Sequence, residues 1–359
     1  MRHARVRRHA IRHALAAVGL IGAAAAVGAR GIGLRRARAK ARARLAARAV
    51  RRLTLSDGDV AYIDCVPECA GHPAAGGPGP GPHLRTGTGT GTGPETILSV
   101  HGLYGGYDQA LDNVGGLTTR CRIVAPSRFG YPGSDVQGDG SPAAQATVLA
   151  ALLDHLGIEK VFVLGASAGG TPAIRFALDH PERVTGLILL SSAAPWPTRP
   201  EALPGRMGPP PWFNHDWVMW MLSPLFGPVF GMAPGTVTSM LPLALRRTGA
   251  DIDASVTNRD MAVHFEDYPV EQLQVPVLLL HALDDRVSVF APPAGNVQSS
   301  MHRYPDLTVA LFRTGGHLIS GHGHEVEDEI LRFINAHAEG AVPPAPAHPF
   351  PPPPDERPQ

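Results

Sequence analysis

Val161-Phe162-Val163-Leu164-Gly165-Ala166-Ser167-Ala168-Gly169-Gly170 runs straight into Thr171-Pro172-Ala173-Ile174-Arg175-Phe176-Ala177-Leu178. A β-branched, apolar run breaks into G-x-S-x-G and resumes with helical character. A strand that turns sharply into a helix around a serine needs small residues two positions to either side, because the backbones crowd there and the serine takes a strained conformation. Ser167 is thereby expected to stand above a sheet. The following helix aims its N-terminal amides and positive dipole end at the same point, which favours an oxygen that becomes negative when an acyl group is attacked. This is the geometry of a nucleophile. A chain with 41 glycines also produces G-x-S-x-G in ordinary loops, so the surrounding pattern has to support the reading.

Short apolar runs alternate with longer helical patterns on both sides of this stretch, the mark of strands that cross over through helices into a parallel sheet. Residues 97–100, 123–125, 161–164, 184–191, 275–281 and 307–312 read as sheet-core strands, and 53–55 with 60–64 as an antiparallel hairpin ahead of them. Helices fit 143–156, 171–180 and 325–338. The fold class is therefore α/β, a doubly wound and mostly parallel sheet occupying 53–195 and 263–339. The alternation stops over 196–262, which holds Trp196, Trp212, Trp217 and Trp220 with Met207, Met219, Met221 and Phe226. Because it follows a strand, this region is expected to be a helical cap over the carboxyl edge of the sheet, where such folds bind ligands. Most of its aromatic residues are expected to form the cap's own core.

In these features the chain resembles the α/β-hydrolase superfamily over roughly 53–339. That family's triad runs in chain order serine, acid, histidine, each on a loop after a strand. After the strand ending at His281 comes Ala282-Leu283-Asp284-Asp285-Arg286-Val287, similar to the family's G-x-x-D acid loop with Ala282 in the glycine position; that register selects Asp285, with the adjacent Asp284 as the alternative. After the strand 307–312 comes Arg313-Thr314-Gly315-Gly316-His317, which resembles the family's glycine-histidine loop and implies His317 as general base. The loop His101-Gly102-Leu103-Tyr104-Gly105-Gly106 resembles the family's His-Gly turn, so the backbone amides of Leu103 and Ala168 are the implied oxyanion donors and His101 is structural. Ser127-Arg128-Phe129-Gly130-Tyr131-Pro132-Gly133-Ser134 is similar to a further family loop, with Ser127 where an aspartate is common.

The resemblance implies a serine hydrolase that cleaves an ester or similar acyl bond of a small, apolar substrate through an acyl-enzyme, with no cofactor. Ser167 at the elbow rules out the aspartate chemistry of haloalkane dehalogenases and most epoxide hydrolases of this fold, and Leu103-Tyr104 departs from the H-G-G-P-G of prolyl aminopeptidases. Carbon-carbon bond hydrolysis, perhydrolysis, and ligand binding without turnover remain the alternatives. His322 and His324 lie beyond His317 and are expected to be solvated; no carboxylate or cysteine spacing completes a metal site around them. Cys65, Cys69 and Cys121 form neither a disulfide framework nor a zinc set.

A net charge of +1 hides a basic front. Residues 1–13 and the block from Arg30 to Arg48 flank an apolar run, Ala14 to Ala29, that reads as a membrane anchor over 14–34, with a signal peptide and exported form, or a soluble helix, as the alternatives. The heavier block follows the run, which leans toward a cytoplasmic catalytic domain within a basic N-terminal segment of 1–52. Arg35 to Arg52 alternates arginine with alanine but lacks interleaved aromatic residues, so attraction to anionic lipid is expected and nucleic-acid binding is not. Residues 71–94, rich in Gly-Pro and Thr-Gly, are expected to be a flexible insert, and 340–359 a disordered proline-rich tail.

Overall fold

The computed structural model describes residues 28–67, 94–232, 235–292 and 296–338. The expected tail, nearly all of the expected insert, Cys69 and residues 14–27 of the expected anchor lie outside the described residues.

Eight strands form one sheet: β1 (Arg51–Leu55), β2 (Gly58–Cys65), β3 (Thr96–Val100), β4 (Arg122–Pro126), β5 (Val161–Ala166), β6 (Val184–Leu190), β7 (Val277–Ala282) and β8 (Leu307–Phe312). Their order is β1-β2-β4-β3-β5-β6-β7-β8. β1 pairs antiparallel with β2 and β2 with β4; every other pairing is parallel. The chain leaves β3 to one side for β4 and returns to the other side for β5, so the carboxyl ends of β3 and β5 flank the point where the winding reverses. Loops leaving adjacent strands in opposite directions open a crevice there.

The helices are α1 (28–46 among the described residues), α2 (Tyr107–Asp112), α3 (Pro142–His155), α4 (Gly170–Asp179), α5 (Asp216–Leu222), α6 (Phe226–Phe230), α7 (Thr236–Met240), α8 (Arg247–Ile252), α9 (Asn258–Val263), α10 (Val297–Ser300) and α11 (Gly323–His337). The central strands are apolar on both faces because both are covered. Ala146, Leu149, Leu153, Ile174 and Phe176 of α3 and α4 pack on one side, and Ala110, Val326, Ile330 and Phe333 of α2 and α11 on the other. Ser141 caps α3 by accepting from the Ala144 N–H at 3.1 Å, and Pro142 fills the first helical position, where a missing N–H costs nothing.

Between β6 and β7 the chain forms α5 to α9, with a π turn at Asp253–Thr257. A third apolar cluster joins Met219, Phe226, Val237, Met240 and Leu243 of this insertion to Tyr104 from the loop after β3. Leu34, Ala37 and Ala41 of α1 enter the same cluster.

That docking revises the reading of the basic front. Leu34, placed in the anchor by its sequence, is buried against protein, and the ring of Trp220 lies against Gly33. Several arginines expected to face lipid hold the protein's own aspartates instead: Arg38 pairs with Asp216, Arg44 with Asp108, Arg48 with Asp112, Arg51 with Asp64 and Arg52 with Asp59. Spacings of three and four residues turn the small apolar side chains of α1 to one face, and ion pairs at its edges hold that face down. No helix among the described residues is long and apolar enough to cross a membrane.

Candidate active site

At the end of β5 the chain makes one tight turn, Ser167–Gly169, and enters α4. Ser167 has φ of 52°, a left-handed conformation that costs energy for a residue with a side chain. Glycines make the turn possible. A Cβ on Gly165 would lie 2.7 Å from that of Ala173, and one on Gly169 would lie 2.4 Å from the carbonyl oxygens of both Val100 and His101. The other non-glycine residues with positive φ among those described are Tyr104, Ser191, Leu318 and Ile319, all on loops at the carboxyl ends of β3, β6 and β8. Strain is therefore concentrated where the crevice opens.

His317, buried on the loop after β8, places Nε2 2.9 Å from Ser167 Oγ. Its Nδ1 lies 2.9 Å from Oδ2 of Asp285, buried on the loop after β7. The second carboxylate oxygen of Asp285 accepts from the N–H groups of Val287 at 2.8 Å and Ser288 at 3.0 Å. Burial alone would raise the pKa of Asp285, but the hydrogen bond from His317 and the electrostatic attraction of that ring, with the Val287 amide, hold it below the ordinary carboxylate value. The carboxylate is thus ionised and points at the ring nitrogen away from the serine. His281, fully buried 3.6 Å from the same oxygen, is held neutral by burial and bonds the Ser288 carbonyl oxygen at 2.7 Å.

The adjacent aspartates do different things. Asp285 reaches the imidazole; Asp284 Oδ1 accepts from the Gly316 N–H at 2.8 Å and so ties the histidine loop to the acid loop. The sequence contained both residues but gave no sign that the second is used. The Leu318 N–H donates to Ser191 Oγ at 3.2 Å, fixing the far side of that loop.

The turn after β3 lies against the serine: a Cβ on Gly102 would come within 2.8 Å of Ser167 Cβ. Among the described residues the Leu103 N–H has no hydrogen-bond acceptor, whereas its neighbours at Gly102, Tyr104 and Gly105 all have one. Ala168 supplies a second N–H in the first turn after Ser167, where helical amides lack internal partners. His101 is structural: its Nε2 accepts from the Arg128 N–H at 2.9 Å, its Nδ1 bonds the Gly102 carbonyl oxygen, and burial keeps it neutral. His324 is exposed, and His322 pairs with Glu325 at 3.5 Å. No cluster able to hold a metal occurs among the described residues.

Two buried ion pairs join this turn to the insertion, and neither was legible beforehand. Arg128 forms a two-pronged pair with Asp253 of the π turn at 2.7 and 2.5 Å, and its Nε donates to the His101 carbonyl oxygen at 2.8 Å. The Tyr131 hydroxyl donates to Asp253 at 2.6 Å and accepts from the Tyr104 N–H at 3.2 Å. Arg246, fully buried, holds Asp108 at 2.8 Å together with Arg44 of α1, and also donates to the Gly105 carbonyl oxygen. Hollows of about 300 and 290 Å³ occur elsewhere, lined by neither Ser167, Asp285 nor His317.

A family model described as alpha/beta hydrolase fold matches residues 95–320. The dihydrolipoyllysine-residue acetyltransferase component of the acetoin cleaving system of Cupriavidus necator is 37% identical over 98 residues, 27% of this chain and 26% of that one, so the chain spans about a quarter of that relative's length. An uncharacterized carboxylesterase, nap, of Bacillus subtilis is 23% identical over 261 residues, covering 68% of this chain and 80% of that one. The solved structure of a thermophilic esterase from Thermogutta terrifontis, with malate bound, superposes with a TM-score of 0.56 at 19% identity over 80% of this chain and all of that one, a likeness of fold.

Proposed function

From the premise that this chain belongs to the alpha/beta hydrolase fold family, we propose that it is a serine hydrolase that cleaves a carboxylic ester or similar acyl bond through an acyl-enzyme on Ser167. The observation that carries this reading is the unbroken hydrogen-bond chain Ser167–His317–Asp285. A serine hydroxyl is a poor nucleophile near neutral pH. As Oγ attacks the acyl carbon, its proton passes to His317 Nε2; Asp285 keeps the other ring proton on Nδ1 and stabilises the imidazolium that forms. The Leu103 and Ala168 N–H groups receive the tetrahedral oxyanion. On collapse the alcohol leaves with the proton from Nε2, and a water deprotonated by the same nitrogen then releases the acid. No step draws on a cofactor.

A small, apolar acyl group suits the surroundings. Leu103, which carries one of the proposed oxyanion donors, packs against the insertion's apolar cluster, as do Phe213, Phe230 and Met232, which supports an apolar acyl group. The apolar run Ala14 to Ala29 and the basic residues that follow it support membrane association of the full chain, with the hydrolase domain on the cytoplasmic side. Hydrolysis of short p-nitrophenyl esters by the full chain tests the chemistry, with Ser167→Ala as control. Loss of turnover in the variant is expected; equal turnover in both proteins would remove Ser167 from its role.

A further inference from the structure

From Trp217 to Leu245 the sequence contains no aspartate, glutamate, lysine, arginine or histidine. The first part of this stretch is one continuous run of helical turns, α5 through a short turn at Ser223–Leu225 into α6. Its inner stripe, Met219, Leu222, Phe226 and Phe230, packs into the insertion's cluster. Its outer stripe is apolar too: Trp217, Met221, Leu225 and Val229, spaced four apart, are 42%, 38%, 49% and 48% exposed. A helix apolar on both faces has a second environment to satisfy, and an exposed apolar ridge of this extent marks a surface that something covers.

Cations sit at both ends of the ridge. Arg30 stacks 5.5 Å from the Trp220 ring and donates to the carbonyl oxygens of Trp220 and Met221, while Arg286 donates to the Pro228 carbonyl oxygen at 2.5 Å. In the sequence Arg30 directly follows the apolar run Ala14 to Ala29, and Ile32, two residues on, is 53% exposed. Along α1, Arg35, Arg36, Lys40 and Arg42 are exposed and form no ion pair among the described residues. An uncharged ridge bearing an exposed tryptophan, bracketed by arginines and continuous with an apolar segment, has the chemistry of a helix lying in a bilayer interface. A protein partner of opposite charge would find no charge to meet on the ridge.

We propose that the α5–α6 ridge is a docking face for an anionic lipid bilayer, into which Trp217, Met221, Leu225 and Val229 insert while Arg30 and Arg286 engage headgroup phosphates. The site stands whether or not Ser167 is a nucleophile, because none of its residues belongs to the hydrogen-bond chain.

The test uses the full chain with vesicles of phosphatidylglycerol and phosphatidylcholine brominated at shallow acyl positions, which quench nearby tryptophans. Quenching is expected on binding, and Trp217→Phe is expected to lose the larger part of it. Leu225→Asp with Val229→Asp should likewise abolish quenching of Trp217, with p-nitrophenyl ester turnover and the circular dichroism spectrum unchanged. A full chain that binds the vesicles with the same quenching before and after Trp217→Phe overturns the proposal, as does one that does not bind. So does a dimer that the paired aspartates turn into a monomer while quenching persists, which would assign the ridge to a second copy of this chain.

Discussion

Replacing Asp253 by asparagine should unfold the link between the insertion and the turn after β3. The substitution preserves volume and an acceptor for Tyr131 but leaves the Arg128 guanidinium buried without a counter-charge. Burial alone lowers the pKa of Arg128, and the charge of Asp253 more than offsets this, so the cation depends on that carboxylate. Unit charges roughly 4 Å apart at an effective dielectric near 20 attract by about 4 kcal/mol, and breaking a buried pair by removing one partner costs about 3–5 kcal/mol. Asp253→Asn is therefore expected to lower the unfolding free energy by about 4 kcal/mol in equilibrium urea denaturation followed by tryptophan fluorescence.

The double variant Arg128→Met with Asp253→Leu removes both charges. It should recover about 2 kcal/mol of that loss, with the orphaned Tyr131 hydroxyl accounting for the remainder. Turnover should not recover, because Arg128 also holds the His101 carbonyl oxygen ahead of Leu103. A misplacement of about 1 Å there costs up to about a hundredfold in kcat. An Asp253→Asn protein within about 1 kcal/mol of the parent, or a double variant less stable than either single one, would refute this reasoning.

Asp285→Asn should reduce kcat by about 10⁴-fold, since an amide favours the wrong imidazole tautomer. Because the folded-state pKa of Asp285 lies below its ordinary 3.8, its ionised form stabilises the fold above that pH, and the stability gap between parent and variant should narrow as pH falls below 3.8 in urea titrations. Gly169→Ala, whose Cβ would meet two carbonyl oxygens at 2.4 Å, should cost about 3 kcal/mol or more in the same measurement. Gly157→Ala, with positive φ but open space around it, should cost only about 1 kcal/mol.

Features that depend on neighbours in the chain were legible from sequence. The strand around Val161 to Leu164, the elbow at Ser167 and the acid and histidine loops all follow from local runs that fold against a common sheet. Asp284 and Asp285 illustrate the limit: spacing brings both to one loop, and only the fold shows that one reaches His317 and the other Gly316. The pairs Arg128–Asp253 and Arg246–Asp108 join residues 125 and 138 positions apart, beyond any local pattern. The arginines of α1 show the same limit. Their charge is visible in the sequence, but the aspartates that take up Arg38 and Arg44 belong to α5 and α2, so the docking of one face of this helix on protein could not be read from its own residues.

The central claim is that His317 and Asp285 make Ser167 Oγ nucleophilic. Intact-mass measurement and peptide mapping after treatment with a fluorophosphonate test it most directly. The account predicts a single adduct on the peptide carrying Ser167, absent in Ser167→Ala and strongly slowed in His317→Ala. A folded protein that takes up no label, or that is labelled equally after Ser167→Ala, would contradict it.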